Sequence, residues 1–357
     1  MLHLIGGMGR HRFRKNRESW RRLKGRQMAT ILVTGAGGFI GRALVPELAA
    51  RGDRVVAVQR SGGRPAPPGT ADALTLPADR PPDWERLLEG AHKLVHLAAK
   101  VHAPGRPAPE RTAGFRTGNL DLSAALAEAA ARVGLERFVH LSTFALVPLL
   151  GRLEAGEIDE AAAWRLHPYE MSKIAAERAL REISLRTGLP LVVLRPPLVY
   201  GPGAVANMER LVRVVQRGVP LPFGAVRNRR SLIHVGNLAS AVLAALDHPA
   251  APGEVFEVSD GEDLSTPELI RRIAAALSQR EPPMVPVPPG LLALLLRLAG
   301  RRDWVPRLLG DAWLDPTPIR QALGWVPPVS VAEGLATLAQ AEQSAPTTEG
   351  QGGTGDS

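Results

Sequence analysis

The 357-residue sequence contains no cysteine. That excludes a disulfide scaffold, a thiolate metal site and a cysteine nucleophile, and it is compatible with the reducing cytoplasm where the protein is expected. No metal site is expected either. A run long enough to span a bilayer is also missing. The most apolar stretch, Gly290-Leu-Leu-Ala-Leu-Leu-Leu-Arg-Leu-Ala-Gly300, reads as a buried helix, with a membrane-surface contact as the alternative. The N-terminal segment lacks the apolar core of a secretory signal, and its single serine makes a poor transit peptide.

Beyond its first residues the chain has almost no excess of charge. Of the formal +9, residues 1–27 hold +8, nine Lys or Arg against Glu18, which leaves +1 for everything after. A phosphate-tracking surface is not supported, and no nucleic-acid partner is expected. The basic segment reads as an upstream extension, or alternatively as a tail for nucleic acid or anionic lipid.

Short apolar strands alternate with helical periodicity through the first two hundred residues. Strands are expected at Ile31–Thr34, Arg54–Val58, Lys93–Leu97, Phe138–Leu141 and Leu191–Leu194, with helices at Ile40–Ala50, Asn119–Val133 and Ser172–Arg186 between them. This is the pattern of an α/β fold, a doubly wound parallel Rossmann sheet covered by helices on both faces. The Rossmann domain is expected over residues 28–195, with room for later strands to return to it. Residues 196–343, richer in Pro, Gly and helical stretches, form a smaller and mostly helical C-terminal substrate lobe, and 344–357 read as a disordered tail.

Directly after the first strand comes Thr34-Gly35-Ala36-Gly37-Gly38-Phe39-Ile40-Gly41. Glycines at 35, 38 and 41 supply a tight turn, a bare backbone that a pyrophosphate can approach, and close helix-to-strand packing. Gly35, Gly37, Gly38, Phe39, Ile40 and Gly41 are therefore expected to bind a dinucleotide at the helix N-terminus. At the end of the second strand, where an acid would hold a ribose 2′-hydroxyl, stands Val58-Gln59-Arg60. An arginine there favours NADP over NAD, because its planar fork matches a 2′-phosphate.

His167-Pro168-Tyr169-Glu170-Met171-Ser172-Lys173 places a tyrosine and a lysine four apart at a helix start, on one face. A tyrosine hydroxyl is a weak base at neutral pH, and a neighbouring ammonium would stabilise its phenolate and let it shuttle a proton.

With these motifs the sequence resembles the extended short-chain dehydrogenase/reductases, in the NAD-dependent epimerase/dehydratase family. The resemblance covers residues 29 to about 340 and includes His96-Leu97-Ala98-Ala99, Asn119, Leu141-Ser142-Thr143, the stretch from Leu194 to Gly203, and Arg229-Arg230-Ser231-Leu232-Ile233-His234-Val235. It implies that Tyr169 exchanges the proton, that Lys173 binds the nicotinamide ribose, and that Thr143 holds the reacting sugar oxygen. His96, Leu97, Ala98, Ala99, Asn119 and Pro196 would line the cofactor groove, while Asn207 and Arg230 would hold the diphosphate of a nucleotide sugar. A homodimer would be in keeping with such a protein.

Three departures stand out. Gln59 replaces the usual acid, Asp79 is only a substitute candidate for the aspartate at the adenine, and Gly236 replaces an aspartate that would cap its helix. Thr143 is followed by Phe144-Ala145, not by the Asp-Glu pair of sugar dehydratases, so dehydration lacks its acid and base. A 4-ketoreductase or 4-epimerase of a nucleotide sugar is the expected activity. A reductase of non-nucleotide alcohols and a catalytically silent NADP-binding protein are the alternatives.

Overall fold

The computed structural model describes residues 28–77, 81–101, 109–204, 207–301 and 304–343; the basic extension, Asp79 and the expected tail lie outside them. The chain begins with β1 (Thr30–Thr34), α1 (Phe39–Ala50), β2 (Arg54–Arg60), β3 (Asp72–Leu76), α2 (Trp84–Leu88) and β4 (Lys93–His96). After α3 (Pro109–Phe115) a π-helical turn, Arg116–Asp121, runs into α4 (Leu122–Arg132) and then β5 (Arg137–Leu141). Beyond a 3₁₀ turn (Phe144–Leu146) come α5 (Val147–Glu154), α6 (Glu160–Leu166), α7 (Pro168–Thr187), β6 (Leu191–Arg195) and β7 (Leu198–Tyr200). The later elements are α8 (Asn207–Gln216), β8 (Leu232–His234), α9 (Val235–Asp247), β9 (Val255–Glu257) and α10 (Thr266–Ala276). They are followed by α11 (Pro289–Leu298), α12 (Trp304–Leu308), α13 (Thr317–Leu323) and α14 (Val331–Gln343).

Seven strands form one sheet in the order β3-β2-β1-β4-β5-β6-β9, every neighbouring pair parallel. Being covered on both faces, the central strands are mostly apolar, and every residue of β5 is buried, Arg137 and His140 included. Leu44, Val45 and Leu48 of α1 and Leu238, Ala241 and Val242 of α9 fill one face. The other is packed by Leu126 and Ala130 of α4 and Leu180 and Ile183 of α7. Thus β9 and α9, though late in sequence, belong to the Rossmann layers.

A second core lies in the C-terminal half, where Tyr200, Met208, Val212, Ile270, Ile273 and Leu335 pack together. The two-stranded β7-β8 ribbon leads from one unit to the other. Asp260 fastens the junction by accepting from Tyr200 Oη at 2.7 Å, His234 N at 2.9 Å and Asn237 Nδ2 at 2.6 Å.

One expectation fails. The leucine-rich helix α11 is not buried: of its six leucines Leu292 is enclosed and Leu296 half-buried, while Leu291, Leu294, Leu295 and Leu298 are exposed. The pattern marks an apolar face but does not say which surface covers it.

Candidate active site

The glycine loop has the form its sequence implies. Gly35 takes a φ of +72°, and a Cβ there would stand 2.8 Å from the Ala98 nitrogen. Gly37 faces the carbonyl of Arg64, which a Cβ would meet at 2.6 Å, and Gly41 presses α1 onto the Ala36 backbone. Arg42 Nε donates to the Gly37 carbonyl at 3.2 Å and braces the turn. Gly38 caps α1 without a side-chain hydrogen bond, and no acid occupies the first turn. The first N–H groups therefore face outward, as an anionic diphosphate requires. Gly41→Ala is expected to lower stability by about 1–3 kcal/mol through overpacking and to weaken dinucleotide binding with it. Urea denaturation and a fluorescence titration would read the two effects.

At the C-terminal end of β2, the Gln59 side-chain oxygen is buried with no hydrogen-bond partner among the described residues. Such an acceptor is costly unless a donor meets it there. Arg60 and Arg64 are exposed beside it. Across the groove, Leu97 N donates to the Thr34 carbonyl at 3.1 Å and Ala98 N to Thr34 Oγ1 at 3.3 Å, which holds Leu97-Ala98-Ala99 against the loop. These features fit a dinucleotide: a side-chain-free cradle, open amides and an unmet acceptor at the ribose end.

Asn119 is buried in the π-helical turn. Its Oδ1 accepts from Lys100 N at 2.7 Å, while Nδ2 donates to the Lys100 carbonyl at 3.1 Å and to Ser172 Oγ at 2.8 Å. Ser172 in turn donates to the Tyr169 carbonyl at 2.7 Å. The side chain thus ties the strand exit after β4 to the first turn of α7, where the tyrosine stands. Its polar atoms are spent on the protein, so it acts as a positioning residue for both.

Thr143 lies beside the Tyr169 hydroxyl and caps the following 3₁₀ turn by accepting from Ala145 N at 3.2 Å. Pro196 accepts from Phe144 N at 2.8 Å, so the β6 exit and the Thr143 turn are held together. Burial, and secondly the Glu170 carboxylate, push the Tyr169 hydroxyl up to about 12, with Thr143 opposing. The hydroxyl is therefore protonated at neutral pH.

Lys173 is 2% exposed. Its Nζ donates to the Leu141 carbonyl at 2.8 Å and lies 3.2 Å from His140 Nε2. Burial brings its pKa down to about 8, against the opposing pull of Glu177, which is held by Arg195 at 2.5 Å. The expected lowering of the tyrosine pKa by the lysine is not present, because the ammonium is committed to β5 and desolvation governs Tyr169. His140 was not foreseen. His96, the first residue of the expected groove motif, is fully buried next to it: it lies 2.7 Å from Thr34 Oγ1 through Nδ1 and 3.0 Å from Ser123 Oγ through Nε2, with its ring 5.3 Å from that of His140. Burial, then the Lys173 charge, bring His96 down to about 3 and His140 well below the usual histidine range. Both stay neutral beneath the lysine.

On the substrate side, Arg230 is half-buried, and its Nη1 donates to the carbonyls of Gly310 at 3.0 Å and Pro306 at 3.3 Å. These carbonyls orient the guanidinium, and the Asp311 carboxylate acts on its charge. Asn207 opens α8, and its side chain lies outside the described residues.

The NAD dependent epimerase/dehydratase family model matches residues 31–259. The chain belongs to the NAD-dependent epimerase/dehydratase family. It is an NAD(P)-dependent enzyme of the extended short-chain dehydrogenase/reductase type. Among its relatives, a UDP-glucose 4-epimerase of Vibrio cholerae is 34% identical over 322 residues, 87% of this chain and 95% of that protein. A UDP-glucose 4-epimerase of Mycolicibacterium smegmatis is 28% identical, covering 85% of this chain and 96% of its own. The solved structure of MoeE5 in complex with UDP-glucuronic acid and NAD shares 25% identity at a TM-score of 0.65, over 88% of this chain and 99% of that one.

Within this epimerase/dehydratase member, Gly236 does not leave α9 uncapped. His234 replaces the missing acid, its Nδ1 accepting from Gly236 N at 3.2 Å. The small residue leaves a cleft of about 430 Å³ between the starts of α1 and α9, lined by Phe39, Arg42, Arg64, Gly203 and Gly236 among others.

Proposed function

We propose that this enzyme interconverts the C4 epimers of a nucleoside-diphosphate hexose, a UDP-hexose in the first instance, with NAD kept through the cycle. The observation that carries this reading is the buried, unpartnered Gln59 oxygen, an acceptor suited to a ribose 2′-hydroxyl and unsuited to a 2′-phosphate. The similarity to UDP-glucose 4-epimerases supports it.

The glycine loop, Leu97 to Ala99 and Pro196 would hold the dinucleotide, whose nicotinamide supplies hydride transfer at the sugar carbon. Thr143 and Tyr169 would together engage the C4 oxygen. In its phenolate form Tyr169 would take the proton of that oxygen as the alcohol is oxidised, and the phenol so formed would give the same proton back when the 4-keto sugar is reduced. Lys173, anchored on β5, keeps its charge beside the ribose. Arg230 and Asn207 would hold the diphosphate, so that the hexose turns over on a fixed anchor and is reduced on its opposite face.

Arg60 and Arg64, both exposed at the β2 exit, support a second reading. Two guanidiniums there suit a 2′-phosphate, and a one-way 4-ketoreductase using exchangeable NADPH would follow. Denaturing the purified protein and identifying any released dinucleotide, alongside incubation with UDP-galactose, separates the two. The epimerase reading expects bound NAD, formation of UDP-glucose without added cofactor, and a Gln59→Leu variant that holds NAD roughly 3- to 10-fold less tightly. No epimer formed from UDP-galactose, with NADPH consumed once a UDP-4-keto-hexose is supplied instead, would sink it. An Arg60→Ala loss confined to NADPH would then establish the ketoreductase.

A further inference from the structure

The ten-residue helix α11 exposes Leu291 by 49%, Leu294 and Leu295 by 51% each and Leu298 by 76%, while Leu292 is 7% exposed. The exposed positions fall at i, i+3, i+4 and i+7, so they form one stripe along one face. That spacing ordinarily marks the side a helix presents to a core. Here it faces out.

Positive charge borders the stripe. Arg297 lies in the last turn and Arg301 just beyond it, both exposed, and the Arg301 guanidinium stands 5.4 Å over the Trp304 ring. From residue 285 to 310 the sequence has four arginines, at 297, 301, 302 and 307, against one acid, Asp303. Leucines flanked by arginines and a tryptophan are the chemistry of an interfacial helix, which lies in the bilayer plane with apolar side chains at the headgroup–acyl boundary. At about 1.5 Å per residue α11 is far too short to cross the bilayer. No helix among the described residues is long and apolar enough to do so.

We infer that α11 docks this enzyme on an anionic membrane surface, its leucine stripe inserted and Arg297 and Arg301 at the level of the lipid phosphates. Charge complementarity selects that occupant. A second copy of the chain pairing through its own α11 would bring no acid to Arg297, since that helix holds none. The chain's own ends are poor covers: residues 1–27 carry +8, the same sign, and 344–357 hold no large apolar residue. The docking element is also joined to the interior of the C-terminal half. Arg230 and Asn228 donate to carbonyls of the α12 segment, at Pro306, Leu308 and Gly310. A bilayer that holds α11 would therefore sit against the same hairpin that orients Arg230.

Sedimentation of the full-length protein with phosphatidylcholine vesicles, with and without about one-third phosphatidylglycerol, tests this. The wild type is expected to bind the anionic vesicles. Leu294→Ser/Leu298→Ser should lower partitioning at least tenfold, and Arg297→Gln/Arg301→Gln several-fold, with thermal melting and turnover on a water-soluble substrate unchanged. Because the basic extension can attract the same lipid, the comparison is repeated at roughly 0.5 M salt, where screening suppresses that attraction and leucine insertion persists. Wild-type protein that stays in solution, or a leucine variant that binds as the wild type does, overturns the inference. A leucine variant that converts an oligomer into monomer in light scattering overturns it too, assigning the stripe to self-association.

Discussion

Tyr169→Phe is expected to lower turnover by about 10²- to 10⁴-fold and to leave dinucleotide affinity nearly unchanged. The substitution removes one hydroxyl and keeps the ring, whose centroid stands 6.0 Å from that of Phe115. That hydroxyl lies beside Thr143, and burial, which pushes its pKa up to about 12, keeps the proton on it at neutral pH in the free protein. It is thus set to give a proton to a developing alkoxide, a step for which phenylalanine has no substitute. Single-turnover kinetics with a fluorescence titration of the cofactor would separate chemistry from binding. Turnover within a few-fold of wild type in a folded Phe variant would remove Tyr169 from the reaction.

Lys173→Met should damage both turnover and cofactor binding, with turnover down by at least about 10²-fold, because a charge expected at the nicotinamide ribose is lost. Its effect on stability has a different sign. The folded-state pKa of about 8 lies below the ordinary 10.5, so the native protein holds this proton less tightly than the unfolded chain does. The penalty for burying the charge is full below pH 8 and gone above 10.5, and wild-type stability should gain about 3 kcal/mol from this group across that window. Methionine has no such proton. Urea midpoints at pH 7.5 and 9.5 should therefore rise in the wild type and show a smaller change in Lys173→Met. Equal changes would mean that the lysine is not desolvated in the folded state.

The parts of this site that could be read in the sequence are those made by neighbours in the chain. The glycine loop between β1 and α1, and Tyr169 with Lys173 one helical turn apart, are short-range patterns whose geometry follows from the helix itself. What escaped depends on folding. Lys173 meets His140 across 33 residues, from a helix onto a strand, and no periodicity links the two. The edge strand β3, Asp72-Ala-Leu-Thr-Leu, is covered on one side only and has no continuous apolar run, so it lacks the signal that revealed the central strands. For α11 the stripe was visible but its covering was not, since sequence marks an apolar face and leaves open what it meets. Asp260 and His234, which join the two lobes, are single polar residues whose burial appears only once β8 and α9 are packed.

The π-helical turn at Arg116–Asp121 makes chain length itself a requirement at this point. A π turn carries an extra residue over the length of an ordinary helical turn. Deleting any one residue there lets the backbone close into regular α-helix with α3 and α4 still in phase, but it shifts the residues inside the turn by up to about 100° around the helix axis. Asn119 would then swing away from Lys100 or Ser172, although the asparagine itself were kept. A one-residue deletion in this helix should consequently resemble loss of the Asn119 side chain. The same deletion in an exposed connection such as that between β2 and β3 would only shorten a loop, unless it drew Arg64 off Gly37.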